Sequence, residues 1–189
     1  VEPLLFVNTL DAKKHILLLC NDHAFGNAIE FRFLENGLVK GESGIYLTSG
    51  DPQRVIDTMM ESNMDMRPYL KNESLKILKV PKFDEDPDGI LTGTEKFMQE
   101  MLLELKSSYR IVGRIISDIS TELGMSVEVT LERNLQARFD SLDGSFLCTY
   151  YYHEVPKKSR QKWMDLLIKN HHAIIYANES YKARATLLI

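Results

Sequence analysis

The sequence predicts an α/β fold in three layers, a mostly parallel central sheet with helices on both faces. Three observations carry that reading. Short apolar runs such as Ile16, Leu17, Leu18, Leu19 and Cys20 lack the alternation of a half-exposed strand, so they suit strands covered on both sides. Segments with helical spacing of apolar residues separate these runs along the whole chain. With 189 residues, 44% of them hydrophobic and 26% charged, one compact domain can bury a substantial core.

Taken in order, residues 1–14 read as a lead-in loop, on the strength of Pro3 and the polar Asn8-Thr9. Residues 16–20 form the first strand. From Phe25 the period changes: Phe25, Ile29 and Phe33 make a stripe that Ala28, Phe31, Leu34 and Leu38 widen, which predicts a well-buried helix. Lys40-Gly41 ends it, with a cation near the negative pole and a residue free to take positive φ. Residues 44–48 are the second strand. Asp51-Pro52 starts the next helix with a capping carboxylate and a proline at the first helical position; Val55, Ile56, Met59 and Met60 form its inner face. A polar connection over 63–71 leads to a third strand at 75–80 and an acidic surface loop at 82–89. Thr92-Gly93-Thr94-Glu95 fits a capping box before a helix carrying Phe97, Met98, Met101, Leu102 and Leu105. Residues 110–117 are a fourth strand, running into Asp118. Over 126–141 a two-residue alternation competes with a four-residue recurrence of Val127, Leu131, Leu135 and Phe139, and the longer period favours a helix. Asp143-Gly144 turns the chain into a fifth strand at 146–152. A helix at 156–169 and a short strand at 173–176 follow. The domain so defined covers 15–177, and 178–189 is an unassigned tail.

Bulk properties narrow the function. A net charge of -4 argues against direct nucleic-acid binding, which needs a basic surface. No apolar run approaches the length of a membrane span and no signal-peptide pattern opens the chain, so a cytoplasmic protein is expected. Cys20 and Cys148 are read as reduced, buried thiols. A first residue of Val1 rather than Met suggests a piece of something longer.

In such folds ligands gather at the carboxyl ends of the strands. A phosphate-binding turn there would read GxxxxGK[ST], whose amides, lysine and hydroxyl hold phosphates and magnesium. Here the turn reads Cys20-Asn21-Asp22-His23-Ala24-Phe25-Gly26-Asn27-Ala28. Asn27 and Ala28 stand where Lys and Ser/Thr are needed, and Asp22 adds negative charge, which argues against phosphoryl transfer and for a non-enzyme.

The run Phe33-Leu34-Glu35-Asn36-Gly37-Leu38-Val39-Lys40-Gly41-Glu42 into Gly44-Ile45-Tyr46-Leu47, with Met64-Asp65, Tyr69-Leu70 and Leu75-Lys76-Ile77 downstream, resembles the KaiC branch of RecA-like ATPases. With His15 ahead of the first strand and no P-loop, the arrangement is closer to the MEDS domain, the sensory module of methanogens, methylotrophs and the DcmR regulator. The resemblance spans about residues 13–177. It implies a non-catalytic, KaiC-derived domain sensing a small molecule, proposed to be a simple hydrocarbon derivative. It also implies a histidine kinase or DNA-binding output domain, attached or in a partner protein. Neither a kinase motif nor a clear helix-turn-helix is visible in the chain.

Candidate ligand-binding residues are His15, Cys20, Asn21, Asp22, His23, Asn27, Asp118 and Tyr150. His15 matches the family's strand-initial histidine, though a structural hydrogen bond explains it equally well. Cys20 and His23 could share a metal, but no second Cys-His cluster completes a tetrahedral site, so no metal is expected and the cofactor is unknown. Asp118 follows an apolar strand, as a magnesium-binding carboxylate does in ATPases of this type. Tyr150 lies in a strand where alternate residues face opposite sides. Glu42 matches the family's Gly-Glu pair and reads as structural; His171-His172 reads as a solvated turn. Two other readings stay open: an unconventional nucleotide binder or ATPase using Asp22, His23 and Asp118, and an interaction module that keeps a RecA-like surface for homo-oligomerisation.

Overall fold

A computed structural model describes residues 1–11, 13–62, 64–83, 86–105, 108–116, 118–177 and 183–188. Strands β1 (His15–Cys20), β2 (Ser43–Thr48), β3 (Leu75–Lys79), β4 (Tyr109–Val112), β5 (Gly144–Tyr151), β6 (Ala173–Ala177) and β7 (Arg184–Leu187) form one sheet in the order β3-β2-β4-β5-β1-β6-β7. Every pairing is parallel except β6 with β7. The α/β class, the parallel sheet and the burial of β1 on both faces are as the apolar runs predict.

Two cores sit on opposite faces. Because strand side chains alternate, Ile16, Leu18 and Cys20 of β1 join a core under α1 (Pro3–Asn8), α2 (His23–Val39), α3 (Pro52–Glu61) and α4 (Arg67–Lys71). Leu17 and Leu19 join the other, under α5 (Ile90–Leu103), α6 (Glu122–Ala137) and α7 (Arg160–Lys169). Helix α2 carries the chain from β1 over β5 and β4 to β2, which explains its broad apolar surface. Gly41 takes φ +85 just past α2, the conformation its C-terminal position calls for.

Several boundaries differ from the sequence reading. Residues 3–8 are a helix rather than a loop: Glu2 accepts the amides of Leu4 and Leu5, and Val7 is buried in the α2-side core. The connection before β3 contains α4. Helix α5 begins at Ile90 with Gly89 as its N-cap, so Thr92 lies within it and the Thr92–Glu95 capping box does not form; Thr94 donates to the Leu91 carbonyl. Strand β4 stops at Val112 because Gly113 turns the chain at φ +117, where an added Cβ would lie 2.6 Å from the Leu47 carbonyl oxygen. The predicted strand end at Ser117 lies outside the described residues. Helix α6 begins at Glu122, earlier than the periodicity suggests, and α7 only at Arg160. The tail supplies β7, antiparallel to β6.

Candidate functional site

The eight sequence-predicted residues fall into separate places. At the carboxyl end of β1, Asn21, Asp22 and His23 are exposed and Asn27 is half-buried. The Asp22 carboxylate accepts the amides of Ala24 and Phe25 and so caps α2, occupying donors that a phosphate-binding turn offers to its ligand. His23 packs on Tyr151, ring centroids 3.9 Å apart, with His153 beside them. Cys20 is buried beneath, and burial first, then the charge of Glu30, pushes its thiol up to about 12, leaving it an inert thiol. Cys148 faces the other core, so the two cysteines lie on opposite sides of the sheet. Asp118 is exposed, and its carboxylate is held in a local turn by the amide and hydroxyl of Ser120. A polar crevice of about 130 Å³ does open at the strand ends, between Glu30, Tyr46, Thr48, Arg114, Thr149 and Tyr151. None of Cys20, Asn21, Asp22 and His23 is on its wall.

His15 and Tyr150 belong to a different constellation, under α6. In register, His15 pairs with Phe146 and Leu17 with Cys148, which puts His15, Cys148 and Tyr150 on one face. Above them α6 presents Glu128, Glu132 and Gln136, four residues apart and hence on one helical face. The His15 Nε2 lies 2.9 Å from Glu132 Oε2 and 3.4 Å from Cys148 Sγ, and its Nδ1 lies 3.0 Å from the Gln136 amide. His171, in the turn between α7 and β6, is fully enclosed rather than solvated. Its Nδ1 donates to the Leu167 carbonyl at 2.7 Å, and its ring centroid is 3.9 Å from that of His15.

Proton counting orders the two carboxyls. The Tyr150 hydroxyl contacts both Glu128, at 2.8 Å, and Glu132, yet it has one hydrogen to give. Burial, then the neighbouring charge of Glu132, pushes Glu128 up. Burial works against a charge on Glu132 too, but the imidazoles of His171 and His15 and the Tyr150 hydroxyl prevail and hold it below the usual range. Since burial keeps His171 itself neutral, with its pKa down at about 3, hydrogen bonds from His15 and Tyr150 carry that effect. Of the two carboxyls, Glu128 is thus the one on which a proton is favoured and Glu132 the one on which a charge is favoured.

Through Glu128, Glu132 and Cys148 this network borders a cavity of about 50 Å³ between the sheet and helices α5 and α6. Its apolar walls include Leu47, Met98, Ile111, Leu131, Leu135 and Phe146; Glu128, Glu132 and Cys148 are its polar base, and Glu95, Arg114, Asn134 and Arg138 also line it. Asn134 of α6 donates to Glu95 of α5 at 3.1 Å, bridging the two helices beside it. The α6 carboxylates and His171 are absent from the sequence-based set. The available signal was the four-residue spacing of Glu128, Glu132 and Gln136 on a helix whose apolar residues are too few to fill its inner face.

Fold and turn together define a RecA/KaiC-type α/β domain in which the helix after the first strand, α2, is capped by Asp22. The chain belongs to the MEDS family: the family model for the MEthanogen/methylotroph, DcmR Sensory domain matches residues 14–165. Among solved structures it is similar to the KaiC-like protein PH0186 from the hyperthermophilic archaeon Pyrococcus horikoshii OT3, with 14% identity, a TM-score of 0.59, and 92% of this chain and 77% of that one covered. It is also similar to PH0250 from the same organism, with 9% identity, a TM-score of 0.65, and 100% and 93% covered. At these identities the likeness concerns the fold. No curated protein matches the sequence. No helix among the described residues is long and apolar enough to cross a membrane.

Proposed function

We propose that this chain is a non-catalytic, small-molecule-sensing domain of degenerate KaiC-like origin, with its ligand in the apolar cavity between the sheet and helices α5 and α6. The size and lining of that cavity carry the reading. A volume of about 50 Å³ takes only a few heavy atoms, far less than the ~300–1,000 Å³ that drug-sized ligands and cofactors occupy. Apolar walls over a base of Glu128, Glu132 and Cys148 suit a simple hydrocarbon derivative with one polar group. The loss of the P-loop lysine and hydroxyl at Asn27 and Ala28, with Asp22 capping α2, supports a domain without ATPase activity. Ligand binding would act by population shift: α5 and α6 form one wall, and a ligand favouring one spacing of these helices biases a kinase, a DNA-binding output domain or a second copy resting on them.

The ceiling of ~1.5 kcal/mol per heavy atom limits a ligand of this size to roughly submillimolar affinity. Titration calorimetry at millimolar concentrations of one- to three-carbon halides, alcohols, thiols and amines is therefore the test, beside ATP with magnesium. Saturable heat with one of these compounds, lost in Leu131→Phe, which fills the cavity, is the expected outcome. Binding indifferent to Leu131→Phe would move the site elsewhere, and tight magnesium-dependent ATP binding would overturn the non-catalytic reading.

A further inference from the structure

We propose that His15, Glu132, Cys148 and His171 bind one divalent metal ion of the zinc class beside the cavity, pinning α6 to the sheet. The four come from β1, α6, β5 and the turn between α7 and β6, and all four are buried. Their ligand atoms lie within 4.8 Å of one another. A tetrahedron with bonds of ~2.0–2.3 Å has edges of roughly 3.3–3.8 Å. The separations of Cys148 Sγ from His15 Nε2 (3.4 Å), His171 Nε2 from Glu132 Oε2 (3.6 Å) and Cys148 Sγ from Glu132 Oε2 (3.7 Å) fall in that range. Closing the 2.9 Å contact of His15 with Glu132 to the same figure takes a small outward shift.

An independent observation points to a cation. His171 has its hydrogen on Nδ1, given to Leu167, so Nε2 carries a lone pair; this buried atom has no hydrogen-bond partner among the described residues, and it faces the Glu132 carboxylate. A buried lone pair aimed at a carboxylate is the arrangement a positive centre between them would satisfy. The surrounding shell has the form seen around metal ligands. Leu167 fixes the His171 tautomer, Tyr150 takes Glu132 Oε1 and leaves Oε2 to the site, and the Gln136 amide, by rotation, serves His15 Nδ1 as donor or acceptor. A thiolate and a carboxylate balance a 2+ ion, and the mixed N, S and O set suits zinc or cobalt rather than magnesium or calcium. Binding releases the Cys148 proton to solvent, and no electron changes hands.

The test uses the full chain, stripped with a chelator and titrated with zinc alone and with cobalt alone. Uptake of one metal per chain is expected, and the cobalt form should show tetrahedral d–d bands and a thiolate-to-cobalt charge-transfer band. That band reports the Cys148 ligand in the wild-type protein, so it decides the matter even if a variant fails to fold. Cys148→Ser should abolish it, and Gln136→Ala should weaken zinc roughly 10–100-fold by loosening His15. His23→Ala, which alters the exposed His23–His153 pair, should leave both unchanged. A folded wild-type protein that takes up no stoichiometric metal, or a metal signal that disappears with His23→Ala and survives Cys148→Ser, overturns the assignment. Because the site is read without any organic ligand, its failure would leave the sensing proposal standing, and the reverse holds too.

Discussion

Glu30 is a carboxyl on α2 with its side chain buried against β2, where it accepts the Tyr46 hydroxyl at 2.7 Å. Burial pushes its pKa up, so the folded protein holds this proton more tightly than the unfolded chain does. Above the ordinary glutamate value of about 4.3 the folded state binds more protons. Stability therefore falls as pH rises from there through the raised folded value. Glu30→Gln keeps the size and the Tyr46 bond but cannot ionise. Across roughly pH 5 to pH 8 the variant should lose less stability than wild type in urea unfolding; parallel profiles would show that Glu30 titrates as in solution. At this scale the sequence was least readable. His171 and His172 are adjacent and look like one polar turn, yet the first is sealed under α7 and α6 while the second faces Gln136 nearer the surface. Which of two neighbouring histidines is buried depends on how β6 is approached, and periodicity carries no such information. Glu42 was legible as structural, because its place after Gly41 fixes it beside Arg110.

Among the elements, those with strong local chemistry were readable. Asp51-Pro52 does cap and start α3, and the unalternated run before Asn21 is an interior strand buried on both faces. Elements that depend on tertiary contact were not. Helix α1 has six residues, too few to hold alone, and exists because α2 receives it. Strand β7 buries only Ala185 and is defined by β6. The opening turn of α2 is the case with functional weight. Asp22 supplies its only side-chain cap, so Asp22→Ala should cost about 1 kcal/mol in unfolding free energy, and Asp22→Asn much less. Chemical denaturation of the three proteins measures this. An Asp22→Ala protein as stable as wild type would mean that the amides of Ala24 and Phe25 find another acceptor, contrary to a turn whose anion site is filled from within.

At the scale of the whole molecule, two buried polar centres, one on each face of the sheet, include residues at the amino ends of the strands, His15 and Arg110. Under α6 is the His15 constellation. On the α2 side Arg110 of β4, 2% exposed, forms two parallel hydrogen bonds with Glu42, at 3.0 and 3.2 Å, and donates to the carbonyls of Phe33 and Leu10. One guanidinium thus ties the central sheet to α2, to the turn before β2 and to the segment after α1. Such a tie holds the α2 layer, on the face opposite the cavity. A surface ion pair contributes about 0–1 kcal/mol, whereas removing one partner of a buried pair costs ~3–5 kcal/mol because the other charge is stranded. The Glu42 side chain keeps 19% exposure, which places Glu42→Ala near the lower end, at about 3 kcal/mol. Urea unfolding is the measurement, with the denaturant slope unchanged if only stability is lost. Joining Arg110→Met to Glu42→Leu should recover part of that loss by removing both charges, but not all of it, since the Phe33 carbonyl loses the guanidinium donor and the Leu10 carbonyl is left with Lys40 alone. A single-variant loss below about 1 kcal/mol would show that water reaches Arg110, and that the α2 layer is held by its apolar core alone.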